Sequence, residues 1–133
     1  MIHAEENVEY KLIQDADGNA LIGEKSYVFR LPPNIPAKEY WSVIVYDIQT
    51  RQIIKNWQSW PSVYSSRKGL FVNQDGSVDV WFGAKAPLGK EDNWIKTIPG
   101  SDWNMVMRLY GTLESWHNQT WRPGEIVAIN NNP

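Results

Sequence analysis

The side chains able to carry out chemistry are few and widely spaced in this 133-residue chain. Only two histidines occur, His3 and His117, and their separation matches no ligand spacing of a zinc site. The sequence has no cysteine, which excludes thiolate chemistry and disulfides. The serine pair before Arg67 lacks the Gly-x-Ser-x-Gly elbow of serine hydrolases. The sequence therefore predicts no metal site and no cofactor.

Arg108 has the most informative position among the basic residues. It lies between Met107 and Leu109, in a stretch with the composition of a strand. A buried arginine needs a partner, and its planar guanidinium suits a carboxylate such as Asp47 or Asp79. We therefore expect a structural ion pair that fixes strand register. The functional alternative is a clamp for an anion or a carboxylate in a pocket.

A catalytic interpretation requires polar residues from distant segments to meet in one cleft. The set for a hydrolase-type enzyme would be Arg67, Arg108, Asp79 and His117. Asp75 and Asp79 are also close enough in sequence to form a carboxylate pair. Asp75 has a local explanation, however, because an aspartate in a turn bonds its own backbone. Enzymatic activity is therefore the least favoured interpretation.

The segment 15–19, DADGN, has two interpretations. Its acidic and amide residues fall at the first positions of a calcium-binding loop, but Ala20 and Ser26 replace the glycine and the glutamate that this loop requires. Asp-Gly is also a strong signal for a hairpin turn. We therefore predict a hairpin that joins a strand at 8–14 to a return strand at 26–31.

Aromatic side chains are the unusual feature of the composition, with eight tryptophans, six tyrosines and three phenylalanines. Burial of one aromatic ring removes about 150–250 Å² from water, so most of these rings must lie in a core. Aromatic rings in loops are the exception, because a ring beside polar amides can stack on a sugar. The loop aromatics that fit this description are Trp57, Trp60, Tyr64, Trp94 and Trp121. The alternative is that each ring covers an open end of the fold and bonds its indole N–H to backbone.

The candidate ligand-binding residues combine these loop aromatics with nearby polar side chains. The predicted set is Trp60, Tyr64, Arg67, Asn93, Trp94, Arg108 and Trp121.

The element that must position these residues is the stretch 38–47, whose residues from Tyr40 onward are almost all aromatic or β-branched. Alternation places Trp41, Val43 and Val45 on one face of a strand. It places Tyr40, Ser42, Ile44 and Tyr46 on the other face. Both faces are apolar, so we predict a central strand covered by a second sheet on one side. Aromatic loops or a partner would cover the other side.

Further strand patterns follow at regular spacing, with turn residues between them. We predict strands at 8–14, 26–31, 53–57, 69–73, 78–83, 94–98, 103–110 and 125–129. A loop is expected at 58–68, and 113–116 is the only candidate helix. The pattern predicts an all-β fold, an antiparallel β-sandwich with at most one short helix.

Length and charge restrict the class of protein further. The length suits one domain spanning 1–133, with a core of about 8–129 and a frayed tail at 130–133. The net charge is −2 with mixed signs, which argues against nucleic-acid binding. No apolar run is long enough for a transmembrane helix, and the N-terminus lacks the pattern of a signal peptide. The compartment is therefore unknown, and no membrane contact is predicted.

Four segments carry a resemblance to a known family. They are LPPNIPAKEYWSVIVYD (31–47), NQDGSVDVWFGAKAPLGKEDNWIKTIPG (73–100), MRLYG (107–111) and TWRPGEI (120–126). In this order they resemble the bacterial family that carries the domain of unknown function 1214, over about Asp15 to Ile126. The resemblance implies a jelly-roll-like sandwich similar to nucleoplasmin and viral-coat folds. It also implies a domain that usually follows a different uncharacterised domain in a longer protein.

The predicted function is that of a non-catalytic β-sandwich module with a structural or interaction role. Its expected partner is another copy of itself, forming a homo-oligomer, or an N-terminal domain that is missing from this chain. A bare apolar face would mark that contact. The alternative is a domain that binds a carbohydrate or another small ligand through its loop tryptophans.

Overall fold

Two four-stranded sheets pack against each other and enclose an apolar core. The computed structural model describes residues 6–56, 58 and 61–129. The sequence predictions that concern His3, Trp57, Trp60 and the tail 130–133 lie outside the described residues.

Among the described residues, eight strands and two short helical turns make up the regular structure. The strands are β1 (Asn7–Leu12), β2 (Ser26–Leu31), β3 (Ala37–Asp47), β4 (Ser62–Tyr64), β5 (Val78–Gly83), β6 (Trp94–Lys96), β7 (Trp103–Thr112) and β8 (Ile126–Ile129). A 3-10 turn spans Glu91–Asn93, and the α-helix α1 spans Glu114–His117. The α1 segment confirms the short helix predicted at this point of the chain.

The first sheet has the strand order β1-β7-β3-β4, so the long strand β3 lies in its interior. Val43 and Val45 are fully buried, whereas Tyr40, Ile44 and Tyr46 on the alternate face are only half-buried. The prediction of a central strand with this division of faces is confirmed. The second sheet covers the inner face, and the outer face of β3 stays partly open.

The second sheet has the order β6-β5-β2-β8. Its inner face contributes Phe29 from β2 and Val80 and Phe82 from β5 to the core. The predicted all-β sandwich is confirmed. Strand neighbours pair antiparallel except β5 and β6, which pair in parallel because the loop 84–93 carries the chain back beside β5. The finer jelly-roll label stays a prediction.

The predicted hairpin between 8–14 and 26–31 is wrong. The DADGN turn forms, and the side chain of Asp15 accepts two backbone N–H groups within it, each at 2.9 Å. The two strands nevertheless join different sheets, since β1 pairs with β7 and β2 pairs with β5 and β8. An Asp-Gly turn reverses the chain locally, but the burial of apolar faces decides which strands pair.

Three smaller expectations also need correction. The predicted loop 58–68 contains β4, which pairs with Ser42–Ile44 of β3. The segment 69–73 is not a strand, although Asn73 N–H does bond the Ser77 carbonyl at 2.8 Å across the turn. In the described part of the predicted strand 53–57, Ile53 forms an isolated bridge to Tyr46 of β3 and no strand is formed.

The centre of the core is aromatic. The ring of Trp103 is fully buried between Tyr27 and Phe82, with ring centroids 5.4 and 4.8 Å away. The backbone at Gly23 lies so close to the Ile98 carbonyl that a Cβ on Gly23 would overlap it. This packing is the rigid frame on which the surface residues are held.

Candidate functional sites on the sandwich

The outer surface of the first sheet carries a group of aromatic and apolar side chains, with Ser42 and Arg108 between them. The strand register places Tyr40 opposite Tyr110 and Ile44 opposite Val106, and Tyr64 lies on the adjacent strand β4. The Tyr40 ring centroid is 5.6 Å from that of Tyr110 and 6.2 Å from that of Tyr64. We call these five aromatic and apolar residues the tyrosine face. It contains one predicted site residue, Tyr64.

A cavity of about 240 Å³ opens on the tyrosine face, with Ile53 and Pro61 among the residues that line it. Burial raises the pKa of Tyr40, and the neighbouring Tyr64 and Tyr110 raise it further. The Tyr40 phenol is therefore neutral at physiological pH. A partner can therefore cover Tyr40 without removing a charged group from water.

Arg108 lies on the same surface and forms the predicted structural ion pair, but with a different partner. Its Nε donates to Glu9 at 2.8 Å, and its second guanidinium nitrogen donates to the Tyr46 hydroxyl at 3.3 Å. Both hydrogen bonds raise the pKa of Arg108, and the one to Tyr46 has the larger effect. The prediction that Arg108 pairs with Asp47 or Asp79 is wrong. The register of β1 against β7 sets Glu9 directly opposite Arg108.

The residues of the proposed catalytic set do not converge. Asp79 lies on the outer surface of the second sheet, where Arg30 binds it through two hydrogen bonds of 2.8 and 3.0 Å. Arg108 lies on the outer surface of the first sheet, so the core separates the two. Arg30 is also the main reason why the pKa of Asp79 is lowered. Asp75 accepts the N–H and hydroxyl of Ser77 at 2.9 and 2.6 Å, which confirms its turn role.

Two predicted site residues hold loops in place. Arg67 donates to a carbonyl of β4 at 2.8 Å and lies 3.5 Å from the carboxylate of Asp92. Asn93 is 1% exposed, and its amide binds the N–H and carbonyl of Phe71 and the carbonyl of Asp79, at 2.8, 2.9 and 2.9 Å. Both amide hydrogens and the amide oxygen of Asn93 are thus engaged within the fold.

Trp94 and Trp121 match the alternative in which loop rings cover the fold. The Trp94 indole N–H donates to the Gly83 carbonyl at 2.9 Å. Trp121 is 6% exposed, and its indole N–H reaches the carbonyls of Pro32 and Pro33, each at 3.2 Å. These bonds fix the orientation of both rings. Only the remaining edge of Trp121 is available to a ligand.

That edge of Trp121 contributes to a second cavity, at one end of the sandwich. This cavity, about 660 Å³ in volume, is called the indole cavity below. It is lined by Tyr10, Trp116, His117, Gln119, Trp121, Arg122, Pro123 and Glu125. The Trp116 ring meets Tyr10 edge to face at 5.8 Å and lies 6.3 Å from the Trp121 ring.

Sequence reasoning included Trp121 in the candidate set but missed Tyr10 and Trp116. Trp116 lies within the predicted short helix, so its proximity to Trp121 along the chain was a usable signal. Tyr10 comes from β1, more than a hundred positions away in sequence, and no local pattern connects it with Trp116.

Comparison with known proteins agrees with this architecture. A family model described as a protein of unknown function (DUF1214) matches residues 6–114. The chain belongs to the DUF1214 family. The TWRPGEI segment, which was part of the sequence resemblance, lies beyond the matched residues. No curated protein matches the chain.

Solved structures share the fold of this DUF1214 chain. The VPA0106 protein from Vibrio parahaemolyticus is 23% identical to this chain in sequence, with a TM-score of 0.79. The match covers 94% of this chain and 31% of the VPA0106 chain. An uncharacterized protein from Burkholderia cenocepacia is 18% identical to this chain, with a TM-score of 0.51. The match covers 99% of this chain and 33% of the Burkholderia chain. The chain thus spans about a third of the length of either protein. Among the described residues, no helix is long and apolar enough to cross a membrane.

Proposed function

We propose that this DUF1214 domain is a non-catalytic interaction module whose tyrosine face docks against another domain of a longer polypeptide. The observation that carries the proposal is the continuous aromatic surface of Tyr40, Tyr64 and Tyr110 on the outside of the first sheet. The residues of this face are half-buried except for the buried Val106, and apolar side chains left partly open on a surface mark contact sites. Tyrosine suits such a surface because it offers a large apolar ring with a polar hydroxyl.

The exposure of the arginine on each sheet favours the first sheet over the second as the docking surface. The outer surface of the second sheet carries the Arg30–Asp79 ion pair, and the Arg30 side chain is 57% exposed. A partner that covered that surface would have to remove a charged group from water. On the first sheet Arg108 lies between Tyr110 and Val106 but is only 28% exposed, and its ion pair extends to Glu9 on the edge strand β1.

The size of the face favours a partner in the same polypeptide over a second copy. A stable interface between separate chains engages about 20–30 residues a side, and the tyrosine face has five. A domain tethered in the same chain acts at a high effective concentration, so a smaller contact is enough. The related solved structures, of which this chain corresponds to 31% and 33%, contain additional sequence that can supply such a domain.

Photo-crosslinking tests this proposal in the polypeptide produced from its native gene. A benzophenone amino acid is placed at Tyr40 in one variant and, as a matched control on the opposite sheet, at Arg30 in another. We expect the Tyr40 variant to form an intramolecular cross-link to a peptide outside these 133 residues, and the Arg30 variant to form none. A product of doubled mass would replace the proposal with self-association. The absence of any product from Tyr40 would refute docking.

Light scattering on the isolated 133-residue chain provides a second measurement. We expect a monomer at micromolar concentration, since five side chains are too few for a stable dimer. A dimer that dissociates in an Ile44→Asp variant would show that the face joins two copies. A dimer that persists in this variant would place the contact elsewhere.

A further inference from the structure

We propose that the indole cavity binds a neutral saccharide, with a sugar ring against Trp116 and Tyr10 and its hydroxyl groups between Arg122 and Glu125. This site is separate from the proposed docking function, because the cavity of the tyrosine face shares no lining residue with it. The volume of about 660 Å³ lies within the usual range for ligand sites, about 300–1,000 Å³.

The aromatic walls of the cavity are held in position before any ligand arrives. The planes of Tyr10 and Trp116 meet at 85°, and Trp121 is anchored through its indole N–H to two carbonyls. Tyr10 and Trp116 also pack against the hydrophobic core. A rigid aromatic wall loses little conformational entropy on binding, and it suits the apolar C–H face of a sugar ring.

The polar residues at the rim select for a group that both donates and accepts hydrogen bonds. Arg122 and Glu125 are exposed, and no ion pair joins these two described residues within 4.0 Å. The guanidinium of Arg122 donates to the amide oxygen of Gln119 at 2.6 Å. A guanidinium only donates and a carboxylate only accepts, whereas a sugar hydroxyl does both.

This rim also disfavours charged ligands. An anionic ligand would approach the carboxylate of Glu125, and a cationic ligand would approach the guanidinium of Arg122. Neighbouring hydroxyl groups of a neutral sugar can satisfy both residues together. The chemistry of the rim therefore indicates a neutral polyhydroxylated ligand.

A neighbouring cavity extends the surface around Trp121. It has a volume of about 430 Å³ and is lined in part by Asn34 and Thr120. Trp121 and Arg122 line both cavities, so the surface offers two adjacent positions, as a disaccharide requires.

Calorimetric titration and saturation-transfer NMR of the 133-residue protein test the proposal. The probes are neutral methyl hexopyranosides and disaccharides, with glucuronate and galacturonate as charged counterparts, at about 10 mM to detect a dissociation constant of about 1 mM. We expect at least one neutral saccharide to bind through its ring C–H groups. We expect the corresponding uronate to bind about ten-fold more weakly, because its carboxylate meets Glu125.

Two substitutions at exposed positions locate the site. Arg122→Gln and Glu125→Gln are each expected to weaken saccharide binding about ten-fold, the size of one lost charge-assisted hydrogen bond. The matched controls Arg51→Gln and Glu24→Gln remove similar charges elsewhere and are expected to change the affinity less than two-fold, about 0.4 kcal/mol.

Three results would overturn the assignment. The first is that no saccharide in the panel binds, and the second is that binding is unchanged in both cavity variants. The third is that the uronates bind more tightly than the neutral sugars. The docking proposal survives each of these results, because its cross-linking readout depends on Tyr40 alone.

Discussion

Replacement of Asn93 by alanine is expected to destabilise the fold strongly. The amide of Asn93 joins the loop residue Phe71 to the Asp79 carbonyl in β5 through three hydrogen bonds of 2.8–2.9 Å. The side chain is 1% exposed, so water cannot easily replace these bonds. The sequence presented Asn93 as a candidate ligand-binding residue, and the variant distinguishes that role from a structural one.

The expected magnitude follows from the number of bonds. A typical hydrogen bond contributes about 0.5–1.5 kcal/mol net, so three bonds contribute about 3 kcal/mol to the free energy of unfolding. The cavity left by the removed amide adds to the loss. For a domain of this size, 1 kcal/mol corresponds to about 3–5 °C in Tm. The Asn93→Ala variant should therefore melt roughly 10 °C or more below the wild type.

Thermal and urea unfolding followed by circular dichroism measure this effect. The matched control is Asn118→Ala, because the side chain of Asn118 also forms hydrogen bonds, but in an exposed turn. It accepts two, from the N–H and the hydroxyl of Thr120. We expect the control to lose less than about 1 kcal/mol. An Asn93→Ala variant as stable as the control would refute the reasoning. If that variant kept its stability but lost ligand binding, Asn93 would be a binding residue after all.

Three further substitutions, one of them with a matched control, test other parts of the structure. Gly23→Ala should prevent stable folding, because the added Cβ would overlap the Ile98 carbonyl. Its control Gly18→Ala has open space and should lower the free energy of unfolding by only about 1–2 kcal/mol, because of the φ of 84°. Equal unfolding midpoints of the two variants in urea would contradict this. Asp79→Asn should make Tm depend less on pH in acid, because the pKa of Asp79 is lowered in the folded state. The ionised carboxylate stabilises the fold fully above its ordinary pKa of 3.8, and this stabilisation is lost as the pH falls through the lower folded pKa. A variant with the wild-type slope below about pH 4 would disprove the assignment. Glu9→Gln should change the free energy of unfolding by less than about 1 kcal/mol, because the Glu9 side chain is 64% exposed, and a larger loss in urea titration would show a stronger ion pair.

The strand faces could be predicted because alternation is a local property of the chain. Trp41, Val43 and Val45 point into the core, as their spacing indicates, and Tyr40 and Ile44 point outward. The same alternation buries Val78, Val80 and Phe82 in β5, and Trp103, Met105, Met107 and Leu109 in β7. Period-two spacing places residues on a face whatever the strand pairs with.

Partner choice could not be predicted in the same way. Arg108 was expected to pair with Asp47 or Asp79, but it binds Glu9, which is 99 positions away in sequence. The DADGN turn suggested that β1 and β2 pair, yet they belong to different sheets. Strand pairing depends on burial summed over the whole fold, and several pairings satisfy the same local pattern.

By itself, the sequence determined the all-β class, the inward faces of the main strands, the turn role of Asp75 and membership of the family. Each of these depends on residue types at short separations or on ordered motifs. Only the tertiary structure decided that Tyr40, Tyr64 and Tyr110 form one surface, and that Tyr10 meets Trp116 at the indole cavity. The physical reason is that long-range contacts form where separate strands share one core, and the spacing within a strand carries no information about its neighbours.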